Sequence, residues 1–496
     1  MVKLLKTPKA IFRFMTGECI RRCPGNTTSF FDSSTFTSPS TFPLMMRLWL
    51  SLLIFCWLAV PNLASAKDIG MDEAYAILKP ARKASSNQKS PSGIRGRVMT
   101  GYQGWFRAPG DGSGMRFYHY EKRGKFEPGH ATIDLWPDLS EFDDDEKYDT
   151  PFKHRDGSTA QVFSSLNPKT VNRHFQWMKD YGIDGAFVQR FALVGAKEYR
   201  SYNHLKSDNQ KLLYCRNAAI KNERAYALMY DLSGLKDDDF ERLARDWKNL
   251  RTKMRLGVDP NDHAYLQHNG KPLVAIWGVG FSDDRGYSLE KAEGFIRLLK
   301  DNPDWGVCSI MLGVPFGFRE QERDATEDEN LHRVLKLADI ISPWSIGRYH
   351  EVDFESGKHV ANLVEDRKWC ERNEIDYLPV VYPGFSWHNM KGEKLDAIPR
   401  RKGKFLWDQF VATRAAGIDT AYVAMFDEVD EATSIFKVSD NPPVGAGFEF
   451  LDNEGLPSDH YLRVTKKRWG PASWRDLREM ISIPVIGTGS MRSDRF

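Results

Sequence analysis

The sequence contains little cysteine, with six residues in 496. Cys215, Cys308 and Cys370 are the three that lie beyond residue 66, and they are far apart in the chain. This spacing fits neither a disulfide framework nor a zinc site. The protein must therefore be stabilised by its hydrophobic core, and a chain of this length with 41% hydrophobic residues can form a large one.

The sequence also lacks an excess of charge of either sign. Its 70 Lys and Arg residues nearly balance its 67 Asp and Glu residues, which gives a formal net charge of +3. No global field attracts nucleic acid or an anionic membrane, so we expect neither as a partner. Aromatic residues make up 12% of the chain and include 14 Trp, a composition that suits an uncharged ligand.

Several motifs of cofactor and nucleophile chemistry are missing. The sequence has no Gly-rich phosphate loop and no Ser nucleophile elbow. His388 has no second His at metal-ligand spacing, which argues against zinc chemistry. The acidic run 143–146 is more typical of a solvated surface than of a calcium loop. We therefore expect neither a metal ion nor a cofactor.

The main apolar run is too short to span a bilayer comfortably. It covers residues 48–60, follows Arg47 and precedes Ala64-Ser65-Ala66. A charged segment, an apolar segment and small residues in this order predict a signal peptide near residues 46–66, cleavage after Ala66 and export to the periplasm or the medium. After cleavage we expect no stable membrane insertion. An uncleaved membrane anchor is the alternative.

The rest of the chain predicts one large catalytic domain. We assign 1–66 to an N-terminal extension and the signal peptide, 67–95 to a short helix and linker, 96–470 to the domain and 471–496 to a tail. Short apolar runs alternate with helical periodicity through the domain, the pattern of a parallel α/β sheet. Eight predicted strands indicate a (β/α)8 TIM barrel: 98–101, 185–189, 225–230, 273–277, 308–312, 339–342, 378–382 and 420–426.

Predicted helices fit between these strands. Asn167 and Pro168 are favourable for starting a helix that continues to Lys179. Other predicted helices include 236–254, 287–300, 327–337 and 404–416. The long segment between strand one and the first of these helices is interpreted as an elaborated loop on the catalytic side of the barrel.

Predicted strand eight ends in four carboxylates, and Glu428 and Glu431 among them are spaced i,i+3. If the strand continues into one turn of helix, their Cβ atoms lie about 5 to 6 Å apart on one face. Paired carboxylates are the usual groups for cleaving a glycosidic bond. The alternative is a solvated turn or a helix N-terminus, where negative charge is also favourable.

Polar and aromatic side chains follow nearly every predicted strand. In such barrels the reacting groups come from the carboxyl ends of the strands and the loops after them. Sugar rings stack on Trp and Tyr while their hydroxyls bond polar groups, so the mixture predicts a carbohydrate cleft. The candidate substrate-binding residues are Tyr102, Trp105, Trp136, Asp138, Gln189, Arg190, Tyr230, Asp231, Trp277, Trp344, Tyr382, Trp387, His388 and Asp427.

Two of these candidates have structural alternatives. Arg190 can pair with a neighbouring acid such as Asp231 and hold the barrel rim together. Trp136 can anchor the long first loop.

Four motifs resemble one family of proteins. They are Gly101-Tyr-Gln-Gly-Trp-Phe106, Asp134-Leu-Trp-Pro-Asp-Leu-Ser-Glu141, Gly182-Ile-Asp-Gly185 and Phe426-Asp-Glu-Val-Asp-Glu-Ala-Thr433. Together they look like the glycoside hydrolase family 71/99-like proteins, and the resemblance covers about residues 96 to 468. It implies a (β/α)8 barrel and, by similarity to the family 99 endo-α-mannosidases, hydrolysis of an α-linked glycan with retention.

The resemblance also implies catalytic roles. Glu428 matches the base that draws the proton from the sugar 2-hydroxyl, so that this oxygen closes an epoxide on C1. Glu431 matches the acid that protonates the leaving oxygen and later activates water. Val429, Asp430 and Ala432 replace the family's Trp, His and Gly around them. A direct nucleophilic role for one carboxylate is the simpler alternative.

These roles require the two carboxyls to differ. Glu431 has to stay protonated near neutral pH, which burial and neighbouring carboxylates favour. Glu428 has to ionise first, and Arg190 or a hydroxyl of Tyr230 or Tyr382 can assist it. The alternative from another class is a non-catalytic carbohydrate-binding protein on the same barrel.

Overall fold

The computed structural model describes residues 69–82, 90–192 and 202–467, and a barrel of parallel strands lies at its centre. Within those ranges the eight barrel strands, here called strands one to eight, are Val98–Tyr102, Gly185–Phe191, Ala225–Asp231, Lys271–Trp277, Ser309–Val314, Ile340–Pro343, an interrupted strand of Asp376–Tyr377 and Val380–Val381, and Ala421–Val423. Each overlaps a predicted strand, although Asp376–Tyr377 lies just before the predicted range of strand seven and strand eight ends at Val423 rather than at Phe426.

The interrupted seventh strand closes the barrel. Its first part pairs in parallel with strand six, through Asp376 opposite Ile340, and its second part pairs with strand eight, through Val380 opposite Tyr422. Strand one pairs with strand two on one side and strand eight on the other. The ring is therefore complete, and the predicted (β/α)8 fold is confirmed.

Barrel strands are buried on both faces, and their side chains alternate between two apolar layers. In strand one, Met99 belongs to the cluster inside the barrel, whereas Val98 and Tyr102 belong to the layer between the strands and the helices. In strand two, Phe187 faces inward and Val188 outward. This period of two decides which strand-end residues point toward the barrel mouth.

The helices cover the outside of the barrel. In the described ranges they are Met71–Ala76, Pro168–Asp180, Asn203–Asn222, Phe240–Asn249, Leu289–Asp301, Leu331–Leu335, Lys358–Arg372, His388–Lys391, Lys404–Ala415 and His460–Lys467. The Asn167 cap is confirmed, because its side chain accepts from the backbone N–H of Lys169. The predicted helix 236–254 is divided into a 3-10 turn, an α-helix and a π turn, and 327–337 shortens to five residues.

Two long helices, Asn203–Asn222 and Lys358–Arg372, are not among those the sequence predicted. The buried face of the first contains Asp208, Asn209 and Lys211 beside its apolar residues. A helix whose buried side is partly charged lacks the apolar stripe that periodicity detects.

The long segment after strand one contains a hairpin of Tyr148–Lys153 and Thr159–Val162. Within the predicted linker 67–95, residues 69–82 and 90–95 are described, and the first of these ranges contains a short helix whose Ala74 and Tyr75 are buried. Cys215, Cys308 and Cys370 are buried free thiols, as expected for three isolated cysteines.

The predicted signal peptide and C-terminal tail lie outside the described residues. No helix in the described ranges has the length and apolar character needed to cross a membrane.

Candidate active site

The segment after strand eight forms the centre of the candidate site. We call residues 427–431 the acidic turn. The chain there forms turns, so the predicted turn of helix is wrong. The backbone N–H of Ser434 donates to the carbonyl of Glu428, and Ala432 has φ 53°. A left-handed residue at this point prevents a right-handed helix from continuing.

Asp427 holds the first strand's loop against the acidic turn. Its side chain is fully buried, and its two oxygens accept from the backbone N–H groups of Gln103 and Gly104, each at 2.8 Å. Burial raises its pKa to about 6 against the opposing effect of those two donors. Each oxygen thus accepts one backbone hydrogen bond, which gives Asp427 a positioning role that the sequence analysis did not assign to it.

Glu428 is oriented by two donors and is 2% exposed. Gln103 Nε2 donates to Oε1 at 2.6 Å, and the Thr433 hydroxyl donates to Oε2 at 2.7 Å. Neither donor was among the predicted site residues. Gln103 lies inside the Gly-Tyr-Gln-Gly-Trp-Phe motif, so a reading of every polar position in that motif would have found it.

Glu431 lies at the other end of the acidic turn and is 6% exposed. Burial, followed by the charge of Asp430, raises its pKa to about 8, while the Trp387 indole N–H and Lys391 oppose this shift. A carboxyl in this setting stays protonated at neutral pH, as the sequence analysis required of an acid.

Glu428 does not show the low pKa that the sequence analysis required. Burial, and then the charges of Glu431 and Asp430, raise its pKa well above the usual value, although Thr433 and Gln103 act in the opposite direction. The acidic turn therefore disfavours simultaneous ionisation of its carboxyls.

The three side chains predicted to assist ionisation of Glu428 bond other groups. Arg190 Nε donates to Asp246 at 2.8 Å, and the Tyr230 hydroxyl donates to the same carboxylate at 2.7 Å. The Tyr382 hydroxyl donates to the backbone carbonyl of Tyr349. Arg190 and Tyr230 point outward because of the alternation along strands two and three. Their predicted roles at Glu428 and as substrate ligands, and that of Tyr382, are corrected by these contacts.

Three further candidates are also held by the protein itself. The Tyr102 hydroxyl lies 3.0 Å from His174 Nδ1 in the outer layer. The Trp136 indole donates to the carbonyl of Gln161 at 3.0 Å, which confirms the alternative that it anchors the first loop. Asp138 accepts from the backbone of Ser140 within a turn.

Asp134, from the first loop, is a positioning residue that the predictions missed. It is fully buried, and its carboxylate accepts from the backbone N–H groups of His388 at 2.7 Å and Asn389 at 2.8 Å. Its own N–H donates to the carbonyl of Val429 at 2.9 Å. Asp134 thus ties the loop after strand seven to the acidic turn. His388 is placed here through its backbone, and its Nδ1 lies 2.8 Å from the Glu393 carbonyl.

Other predicted residues do point toward the acidic turn. Gln189 Nε2 donates to Asp231 at 2.7 Å, and Asp231 is among the charges that act on Glu431. Burial raises the pKa of Asp231. Trp277 packs edge to face on the partly exposed Trp344, with ring centroids 5.4 Å apart. These pairs continue the polar and aromatic lining from strand two round to strand six.

The buried polar atoms around the acidic turn that have no hydrogen-bond partner in the described structure include Gln103 Oε1, Trp105 Nε1, Gln189 Oε1 and Asp430 Oδ1. A buried polar atom without a partner is costly, and such atoms are rare in native proteins. Such a mixture of donors and acceptors around the two glutamates matches the hydroxyl groups of a sugar ring.

Metal chemistry finds no support in the residues that the structure describes. No group of three or more His, Cys, Asp or Glu side chains in those ranges is arranged to hold a metal ion. The acidic run 143–146 forms a short 3-10 turn, and its Glu146 is buried and paired with Arg173.

Comparison with solved structures identifies the fold. The structure of the GH99 endo-alpha-mannosidase from Bacteroides thetaiotaomicron is similar, with 16% identity and a TM-score of 0.53, over 78% of this chain and 100% of that one. A second structure of that organism's GH99 endo-alpha-mannosidase, in complex with BIS-TRIS-propane, gives 16% identity, the same coverage and a TM-score of 0.52. No protein-family model and no curated protein sequence matches the chain. The chain therefore has a GH99-like (β/α)8 barrel fold, and its chemistry has to be argued from its own residues.

Proposed function

We propose that this protein is an exported retaining glycoside hydrolase that cleaves an α-linked glycan with Glu428 and Glu431. The observation that carries the proposal is the pair of buried carboxyls at the carboxyl end of strand eight, which differ in environment. Glu428 is fixed by two hydrogen-bond donors. Glu431 has a pKa raised to about 8 by burial and by Asp430. Burial and the neighbouring carboxyls raise the pKa of both, and the two fixed donors at Glu428 are the difference that suits this pair to act as base and acid.

Glu431 is the acid in this proposal. Its raised pKa keeps a proton available at neutral pH, and its slight exposure leaves the carboxyl accessible from the barrel mouth. It donates that proton to the glycosidic oxygen as the bond to C1 breaks. In the second half of the reaction the resulting carboxylate takes a proton from water, and the water oxygen attacks C1.

Glu428 is the base. Both of its oxygens accept hydrogen bonds, which favours the ionised form, and one charge can exist in the acidic turn while Glu431 remains protonated. Glu428 takes the proton of the sugar 2-hydroxyl as that oxygen closes an epoxide on C1. It returns the proton to the oxygen when water opens the ring. The alternative is direct attack of Glu428 on C1, with water later releasing the sugar.

The remaining lining suits a sugar. Gln103 Oε1, Gln189 Oε1 and Trp105 Nε1, which have no partner in the described structure, offer hydrogen bonds to ring hydroxyls. The Trp277 and Trp344 pair offers apolar faces for stacking. Asp231 adds a carboxyl at the same mouth. We expect a poly- or oligosaccharide substrate, no nucleic acid and no resident cofactor.

The activity test uses purified protein and a panel of α-mannans, α-glucans and plant or algal polysaccharides, with released reducing ends as the measurement. Wild type is compared with Glu428→Gln and Glu431→Gln. The control is Glu355→Gln, which removes a carboxylate at an exposed position. We expect release by the wild type and the control, and a loss of several orders of magnitude in both active-site variants.

The acid assignment has its own test. On a substrate with a good leaving group, protonation contributes little, so Glu431→Gln should lose far less rate than on the natural glycan, whereas Glu428→Gln should lose rate on both. Equal losses for Glu431→Gln on the two substrates would remove the acid role.

A binding protein on the same barrel predicts a different result. In that case the wild type releases nothing from the panel, while all four proteins bind the same glycan in affinity electrophoresis. Export is tested separately by N-terminal sequencing of the protein recovered outside the cytoplasm. The expected first residue is Lys67, and an intact leader on a membrane-bound protein would support the anchor instead.

A further inference from the structure

The acidic turn contains a third carboxyl that the proposed reaction does not use. Asp430 is 1% exposed, and its Oδ1 has no hydrogen-bond partner in the described structure. Its Oδ2 lies 3.3 Å from Nδ1 of His119. Burial of a carboxyl without full hydrogen bonding is costly, so its presence beside Glu431 needs a physical explanation.

His119 reaches Asp430 from the long first loop. Its ring stacks face to face on Trp105, with centroids 3.9 Å apart and planes within 4°. Its backbone is left-handed, with φ 64°, and its carbonyl accepts from the Thr132 hydroxyl. Burial and the nearby Arg107 lower the pKa of His119 to about 3. The neutral ring therefore fixes the place of Asp430. Burial raises the pKa of Asp430 itself to about 8, so its charge develops over the same pH range in which Glu431 would lose its proton.

The charged groups around the two neighbours can be named. Besides Asp430, the charged side chains acting on Glu431 or coupled to it are Glu428, Asp231 and Lys391. His119 and Asp134 are the titratable groups that face Asp430 from the first loop. Asp430 acts on Glu431 more strongly than Lys391 does and in the opposite direction. Without Asp430, burial would still favour the protonated Glu431, but the repulsion from Asp430 would be gone and the pKa of Glu431 would be lower.

We propose that Asp430, held by His119, is a positioning residue that keeps the proton on Glu431 and thereby sets the alkaline limit of the reaction. This inference rests on the proposed function for its role in catalysis. The effect of Asp430 on the Glu431 proton does not depend on catalysis, so the protonation effect and the catalytic role can be tested separately.

The first test reads the proton directly. The infrared carbonyl band of protonated carboxyls is followed as a function of pH in four proteins: wild type, Glu431→Gln, Asp430→Asn and the double variant. Subtracting the spectrum of Glu431→Gln from that of the wild type, and the spectrum of the double variant from that of Asp430→Asn, isolates the band of the Glu431 proton. We expect it to be lost near pH 8 in the wild type and about one pH unit lower when Asp430 is Asn. Equal midpoints in the two backgrounds would overturn the proposal.

The control for this titration is Asp301→Asn. Asp301 is exposed at the end of helix Leu289–Asp301, far in sequence from the acidic turn. Its removal should leave the Glu431 midpoint at the wild-type value. A shift as large as that of Asp430→Asn would show that any lost carboxylate has the same effect, which would also overturn the assignment to Asp430.

The second test reads the reaction. In Asp430→Asn the alkaline limb of the kcat profile should move to lower pH by the same amount, because Glu431 loses its proton earlier. On a substrate with a good leaving group the variant should resemble the wild type. A uniform loss of kcat at every pH and on both substrates would indicate a structural role only. If no protein of the set cleaves any glycan, the proposed function fails, while the infrared titration still decides the role of Asp430.

Discussion

Two regions of this barrel bury charged and aromatic groups at strand ends, and they satisfy them to different extents. In the first, which we call the Arg190 network, the side chains of Arg190, Tyr230 and Tyr75 all donate to Asp246, and Arg190 also donates to Asn209 at 2.9 Å. One positive charge meets one negative charge, and the carboxylate accepts from three side chains.

The acidic turn is the opposite case. Its carboxyls are equally buried, yet they repel one another, and Asp430 Oδ1 has no partner among the described residues. The pKa of Glu428, Asp430 and Glu431 is raised in each case, first of all by burial. The comparison teaches that a buried charge at a strand end indicates a functional site when its hydrogen bonds and ion pairs are incomplete. When the fold supplies all of them, the charge has a structural role.

Breaking the Arg190 network should give the largest change in stability. Arg190→Met leaves Asp246 buried without its cation, so the free energy of unfolding should fall by about 3–5 kcal/mol. Urea unfolding followed by circular dichroism measures this. Arg297→Met is the matched control, because Arg297 pairs with Glu293 on the surface and should cost less than about 1 kcal/mol. Similar losses in the two variants would show that the network has no special role.

The acidic turn should respond to pH instead. Because burial raises the folded-state pKa of Glu431 from 4.5 to about 8, its contribution to stability is complete below about pH 4.5 and is lost as pH rises through about 8. Glu431→Gln cannot ionise. The free energy of unfolding of Glu431→Gln, relative to that of the wild type, should therefore increase by on the order of 1–3 kcal/mol from pH 5 to pH 9.

Urea unfolding at a series of pH values measures this difference. Arg190→Met serves as the comparison, because its deficit should stay nearly constant over the same range. Parallel curves for wild type and Glu431→Gln would contradict the raised pKa.

A pair of tryptophans sharpens the comparison at the smallest scale. Trp136→Phe loses the indole bond to Gln161 but keeps its packing against Phe126 and Phe152. It should cost about 1 kcal/mol of stability and leave the rate unchanged. Trp105→Phe removes an N–H that has no partner in the described structure, so it should cost less stability and lower the rate. If unfolding and kinetic assays show the larger loss of stability for Trp105→Phe and the larger loss of rate for Trp136→Phe, the structural and functional roles assigned to the two residues are wrong.

Part of the site was predictable from alternation along the strands. Gln189 and Asp231 share their strands with the inward-facing Phe187 and Met229, and both lie at the barrel mouth. Arg190 and Tyr230 are one residue out of phase and belong to the outer layer. The candidates in the sequence analysis include every polar residue at these strand ends, although period two already separates inward from outward positions.

Other features of the fold and the site could not be predicted from periodicity in the sequence. The helix Asn203–Asn222 buries charged side chains, so its apolar pattern is weak. The shape of the acidic turn depends on one left-handed residue, Ala432, where the residue type gives no signal. Asp427 and Asp134 are indistinguishable from ligand-binding acids until their backbone partners are seen.

The sequence by itself determined the barrel, the order of its strands and the position of Glu428 and Glu431 at the end of strand eight. These follow from local periodicity and short-range spacing, which a single chain displays directly. The tertiary structure alone decided what surrounds the two glutamates. The hydrogen bond from Gln103 to Glu428 joins residues 325 positions apart, and His119 and Asp430 are 311 apart. Burial, shared charge and hydrogen-bond completion depend on such distant contacts, and these set the protonation of the carboxyls.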